Sequence, residues 1–231
     1  FFILILLAGC KEKDDLPIDL LGPITFNPSI TYGSMTDQDG NIYKTVTIGT
    51  QIWMAENLKT TKYRNGDPIP NVTDNIQWGN LTTGAYCNYD NDATNANIYG
   101  RLYNWYAVNE SRSIAPAGWH VPTNTEWTTL TTFLGGQIGT GGKLKETGTN
   151  HWRNSNTGAT NETGFTALPG GSRFYNFYSF AYIGLIGYWW SATETDPTSA
   201  WSRDINTNYA DIEGSFPPKQ FGLSIRCVKD N

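Results

Sequence analysis

The chain has 231 residues and a formal net charge of −5, with 39% hydrophobic, 14% aromatic and only 16% charged residues. That length suits one large domain or two small ones. No cluster of Lys and Arg is present to neutralise phosphates, which argues against a nucleic-acid partner. The abundant Gly, Asn, Thr and aromatic residues favour short strands and turns over long helices.

The first ten residues, "FFILILLAGC", are too short to span a bilayer, which takes about 20 apolar residues. They read as the end of a signal-peptide apolar region whose charged start and Met are missing. Leu7-Ala8-Gly9-Cys10 resembles the lipobox of bacterial lipoproteins, in which the Cys is diacylated and becomes the new N-terminus. An ordinary apolar strand with a chance Cys is the alternative. Two or three acyl chains, at about 0.8 kcal/mol per buried methylene, give stable anchoring. "KEKDD" (11–15) resembles the charged signal that sends some Gram-negative lipoproteins to the outer face of the outer membrane. The expectation is an outer-membrane lipoprotein, exposed on the surface or else held on the periplasmic face. Setting Cys10 aside leaves Cys87 and Cys227. In an oxidising compartment these are most simply one disulfide, with two separate buried thiols as the alternative.

Residues 11–35 carry Pro17, Pro23 and Pro28 without sustained periodicity and read as a tether, which leaves 36–231 as the folded domain. Asp39-Gly40 is a turn dipeptide, and the spacing places Ile42, Lys44, Val46 and Ile48 on one face of the following strand. Gly49-Thr50 then turns the chain into "QIWM" (51–54). Two helices are predicted. Leu102, Trp105 and Tyr106 share a face within 101–108, and Trp127, Leu130, Phe133 and Leu134 recur at helical spacing within 124–134. After Gly170 the pattern becomes short aromatic strands, in "YWWSATE" (188–194), "AWSRDIN" (200–206), "YADIEGSF" (209–216) and "FGLSIRCVKD" (221–230). Early helices followed by an antiparallel sheet make an α+β domain. No internal repeat or second domain boundary stands out.

One of the two histidines, His120, precedes Glu126 by six positions, which invites a reading as a metal or acid–base site. The same stretch spells a capping box, however. Thr123 sits at the N-cap and Glu126 three residues on, so that the Thr oxygen takes an amide hydrogen of the first turn while Glu126 reaches back to the Thr123 amide. Metal-binding histidines usually come with other ligands at short spacing, and only His151 occurs elsewhere. His120 therefore reads as a bystander. No G-x-S-x-G elbow supports nucleophilic catalysis. "GGQIGTGGK" (135–143) fails the P-loop spacing and reads as a flexible loop. In "NYDNDATN" (88–95), Asp90 and Asp92 offer an oxygen-ligand pattern open to calcium, with a hydrogen-bonded turn as the alternative; no other cofactor is implied. Trp189 and Trp190 are adjacent on a strand and so point to opposite faces. One fills the core, and the other is either a stacking platform for a sugar or protein ligand or also covered.

Seven segments spread from residue 36 onward resemble the Fibrobacter succinogenes major paralogous domain family. They are "DGNIYKTVTIGTQIWMAENLKTTKY", "YGRLYNWYAVN", "APAGWHVPTNTEWTTL", "GGKLKETGTNHW", "TGFTALPGGSR", "GYWWSATE" and "FGLSIRCVKD". That family is similar in turn to formylglycine-generating enzymes and the C-type-lectin-like fold. The resemblance implies a compact α+β domain whose terminal strands lie together, with Cys227 in the last one. It also implies a secreted or lipid-anchored surface protein. The chain lacks the C-terminal cysteine pair of the formylglycine-generating enzymes, and it lacks the calcium-coordinating triplets of sugar-binding lectins. The expected role is a non-catalytic binding or adhesion module for glycan or protein. The alternatives are an envelope enzyme or a structural component of a surface assembly.

Overall fold

The computed structural model describes residues 22–153, 155–175 and 180–230. Cys10 and the charged run after it lie outside the described residues. Twelve strands and five short helices occur among those described, with mostly antiparallel pairing, so the domain is α+β as expected. In chain order the strands are β1 (Gly33–Thr36), β2 (Ile42–Ile48), β3 (Gln51–Met54), β4 (Tyr86–Cys87), β5 (Leu102–Tyr103) and β6 (Trp119–His120), then β7 (Gly170–Arg173), β8 (Phe180–Ile183), β9 (Ile186–Asp196), β10 (Ser199–Asn206), β11 (Ile212–Ser215) and β12 (Val228–Lys229). The helices are α1 (Asn75–Gly79), α2 (Ala93–Tyr99), α3 (Trp105–Val108), α4 (Asn124–Phe133) and α5 (Thr140–Leu144).

Two five-stranded sheets carry the fold, ordered β1-β2-β3-β12-β6 and β11-β10-β9-β7-β8, and β4 and β5 form a separate pair. The C-terminal strand thus sits beside the N-terminal hairpins, as the family resemblance implied. Successive residues of a strand point to opposite faces, so one strand can serve two cores. On β9, Trp189 enters one apolar cluster with Trp53, Trp127 and Phe165, and Trp190 enters another with Tyr43, Met54 and Trp105. On β3, Trp53 and Met54 divide in the same way.

Several local expectations change. The β1–β2 and β2–β3 hairpins form as read, with Gly40 and Gly49 at positive φ in their turns. The buried face of β2 is not the expected one. Ile42 is 70% exposed, while Tyr43 and Thr45 are buried and then Val46 and Ile48. The strand changes inward face midway because it meets the first cluster with Tyr43 and the second with Val46. Helix 101–108 reduces to α3, because Leu102 and Tyr103 pair with β4 and Asn104 caps the single helical stretch. The stretch from Thr25 to residue 35, read as part of the tether, packs on the domain instead. The Thr25 amide donates to Glu146 Oε1 at 2.6 Å, and Phe26, Ile30 and Tyr32 pack on the second cluster.

The expected Cys87–Cys227 disulfide is absent, and both residues are buried free thiols. They belong to different apolar clusters, Cys87 with Trp78 and Leu102 and Cys227 with Met54 and Ile225. Burial pushes the Cys87 thiol up to about 12. The "GGQIGTGGK" stretch is not a loose loop either. A Cβ at Gly141 would collide with the carbonyl of Asp211, and one at Gly142 with that of Gly158. The glycines of α5 are there for close backbone approach.

Buried cations stitch these layers together. Lys145 is fully buried and donates to the carbonyls of Thr157, Asn206 and Tyr209 at 2.7–3.1 Å. Burial pushes its ammonium down to about 8, so it is still charged at neutral pH. Arg173 donates to the carbonyls of Val72 and Thr73 and lies 4.4 Å from the Trp78 ring centre. Arg226 donates to the carbonyls of Phe165 and Thr166 and to Asn57 Oδ1. Each cation satisfies backbone carbonyls that lie in loops or, as with Asn206, at the end of a strand.

Candidate functional site

The described surface has a groove of about 420 Å³ where the second sheet meets the chain's return toward β12. That volume falls within the range of small-molecule sites. Ser172 on β7, Tyr188 on β9 and Leu223 lie at its base, Phe174 and Phe221 form its sides, and Gly214 through Pro218 form its lip. The sequence builds the lip from "GSFPPK": the two prolines fix φ, and Lys219 behind them holds the turn. Lys219 Nζ pairs with Glu194, donates to the Pro197 carbonyl at 2.9 Å and lies 4.7 Å from the Trp105 ring centre. The backbone pairs Arg173 with Gly222 and Tyr103 with Leu223, which sets Phe221 in place.

Aromatic rings continue beyond the groove. Phe174 and Phe221 meet edge to face at 4.9 Å, Tyr175 lies 5.7 Å from Phe221, and Tyr182 lies 6.4 Å from Tyr188. Phe216 remains 62% exposed and touches Trp201 with ring centres 5.8 Å apart. A soluble domain rarely leaves such rings contiguous and open without a use for them.

A polar edge adjoins the rings. Asp204 on β10 stands opposite Tyr188 of β9 and opposite Glu213 of β11. Ser215 Oγ donates weakly to Asp204 Oδ1 at 3.4 Å and lies 2.8 Å from Ser202 Oγ. Burial, and then the charge of Glu213, raise the Asp204 carboxyl above its ordinary value. Burial and the nearby Asp204 also raise the Tyr188 phenol. The arrangement combines flat apolar faces with hydroxyls and a carboxylate ready to accept.

The residues singled out from sequence fall elsewhere. Trp189 and Trp190 are both fully buried, and their Nε1 atoms donate to Asn57 Oδ1 and to the Tyr103 carbonyl, each at 2.8 Å. They do point to opposite faces, but each face meets a core, so neither offers a ring to a ligand. Asp92 is an N-cap, accepting from the Thr94 amide at 2.9 Å, and Asp90 sits at φ +53° in the 3₁₀ turn before it. Asp92 thus takes part in a hydrogen-bonded turn. Among the described residues no three His, Cys, Asp or Glu side chains converge as a metal site.

The capping box is present as read. Thr123 Oγ1 accepts from the Glu126 amide at 3.2 Å, and Glu126 Oε2 accepts from the Thr123 amide at 2.8 Å. His120 is not a bystander, however. Its Nε2 faces Glu126 Oε1 at 2.7 Å and its Nδ1 faces Asp230 Oδ1 at 2.6 Å. Two carboxylates on one ring call for two N–H donors, hence an imidazolium. Partial burial opposes the charge, but the bonds to Asp230 and Glu126 outweigh it and raise the His120 value. Glu126 shifts the other way: burial is outweighed by the Thr123 amide and His120, and its value falls. The clamp ties the end of the chain to the start of α4, since β12 pairs with β6 alongside it.

The sign of the pH dependence follows. The raised His120 value contributes stability that is complete below about pH 6.5, the unfolded value, and is lost as pH rises through the folded one. The lowered Glu126 value contributes stability above its unfolded value, which is lost as pH falls through the folded one. His120→Gln is therefore expected to flatten the alkaline side of the stability–pH curve by less than about 1 kcal/mol, because the ring is 38% exposed. Urea melts of both chains between pH 5 and 9 measure it, and parallel curves would refute the clamp.

Sequence reasoning missed the groove because its residues come from three separated segments. The available signal was the interleaving of Phe and Tyr with Gly, Ser and Pro in "GGSRFY" and "EGSFPPKQF". No curated protein and no solved structure matches the chain. The family model described as the Fibrobacter succinogenes major domain matches residues 46–229, a span that includes the groove, His120 and Glu126 of the clamp, and Lys145, Arg173 and Arg226, and the chain belongs to that family.

Proposed function

We propose that the protein is a lipid-anchored, non-catalytic binding module of the outer-membrane surface, and that it holds a glycan or protein ligand in the aromatic groove. The open groove, with Phe216 exposed at its lip, carries this reading. The lipobox-like start supports the anchor, and the terminal strands sharing one sheet support a C-type-lectin-like scaffold. The non-catalytic part draws on the histidines. Both nitrogens of His120 face carboxylates, and His151 is buried against Glu146, so neither ring is placed to move a substrate proton.

The test compares wild type with Phe216→Ala on a glycan array and in pull-downs with purified envelope proteins. Retention that depends on Phe216 is expected. Equal retention by both chains, or none by either, would refute the reading.

A further inference from the structure

We propose that the groove recognises a neutral saccharide, with a sugar ring stacked against Phe216 and its hydroxyls held by Ser215, Tyr188 and Asp204. The inference rests on the binding-module reading and narrows it to one ligand chemistry.

Charge complementarity comes first. None of the residues lining the groove is ionisable as acid or base except Tyr188, and the strands bring two acids, Asp204 and Glu213, alongside. Phosphates, sulfates and uronates would meet those acids, while the neighbouring cations are engaged elsewhere, Arg203 with Asn124 Oδ1 and Lys219 with Glu194. A neutral polyol meets no such repulsion, and its hydroxyls can donate to a carboxylate in charge-assisted bonds.

The second observation is the exchangeable hydroxyl chain. The Ser215–Asp204 contact is long, 3.4 Å, and Ser202 and Ser215 already share a hydrogen bond. Such groups can swap partners with a ligand hydroxyl at small cost, because hydroxyls both donate and accept. The third is the pairing of this edge with aromatic faces. A pyranose has one apolar C–H face and a rim of hydroxyls, and the groove presents apolar rings beside a polar edge. A proline-rich peptide would also fit aromatic ridges. It would, however, strip water from the half-buried Asp204 while its prolines, which lack N–H groups, supply few donors in return, which is unfavourable.

Isothermal titration of the chain tests this with neutral di- to tetrasaccharides of glucose, mannose, galactose and xylose. Oligogalacturonate and a proline-rich peptide serve as probes of the other classes. At least one neutral oligosaccharide should bind saturably. Phe216→Ala, a change at an exposed ring, should weaken it by about tenfold or more, and Asp204→Asn and Tyr188→Phe should weaken it with the melting curve retained. The inference is overturned if no neutral oligosaccharide binds, or if binding is indifferent to all three substitutions. Peptide binding that depends on Phe216, without saccharide binding, would overturn the saccharide and leave the binding module standing. If neither these probes nor the array and envelope proteins show any Phe216-dependent binding, both readings fall.

Discussion

Arg226→Met is expected to destabilise the folded chain by about 3–5 kcal/mol, the range for breaking a fully buried charged network. The guanidinium is fully buried and reaches Asn57 Oδ1 at 2.8 Å and the Thr166 carbonyl at 2.7 Å, besides the Phe165 carbonyl. It also lies 4.2 Å from the Phe165 ring centre. Met fills part of the volume but donates nothing, so two carbonyls and an amide oxygen lose a partner. Each buried acceptor left unpaired costs about 1–3 kcal/mol. Asn57 Oδ1 also accepts from Trp189, so the loss spreads into the second apolar cluster. Urea unfolding followed by tryptophan fluorescence measures the effect, and a loss below about 1 kcal/mol would mean the network is dispensable.

Trp190→Ala should cost a similar amount, about 3–5 kcal/mol, through the cavity it leaves. The ring is fully buried among Tyr43, Met54 and Trp105, and removing it takes one of two donors from the Tyr103 carbonyl, which keeps the Leu223 amide. The same substitution separates two accounts of the tryptophan pair. A ligand-contacting ring would lose affinity with stability intact, whereas a core ring loses stability first. A chain that melts like wild type after Trp190→Ala would return this residue to the candidate contacts.

What could be read from the residues was set by how local the determining physics was. The capping box at Thr123 and Glu126 needs only four consecutive residues, and it is present with both reciprocal bonds. The Asp39-Gly40 turn is equally local. The inward face of β2 was not legible, because it depends on two clusters assembled from distant segments, and alternation cannot show where a strand passes from one to the other. The disulfide expectation failed because cysteine arithmetic ignores which core each thiol joins.

His120 shows the same limit from the other side. Glu126 was visible six residues away, but Asp230 arrives only when the last strand pairs with β6. The buried cations have partners up to 169 residues away, as Arg226 has in Asn57, and a lone Arg in "SIRCV" carries no sign of them. The groove belongs to this class. Ser172, Tyr188 and Phe216 meet only after β7, β9 and β11 take their places in one sheet.

The most direct test of the groove as the ligand seat is amide chemical-shift mapping of the isotope-labelled chain titrated with the tightest neutral oligosaccharide. Saturable shifts are predicted at Ser172, Tyr188, Gly214, Ser215 and Phe216, with the amides around His120 and Asp92 unmoved. Shifts centred on His120 or Asp92 while those five amides stay still would contradict the account.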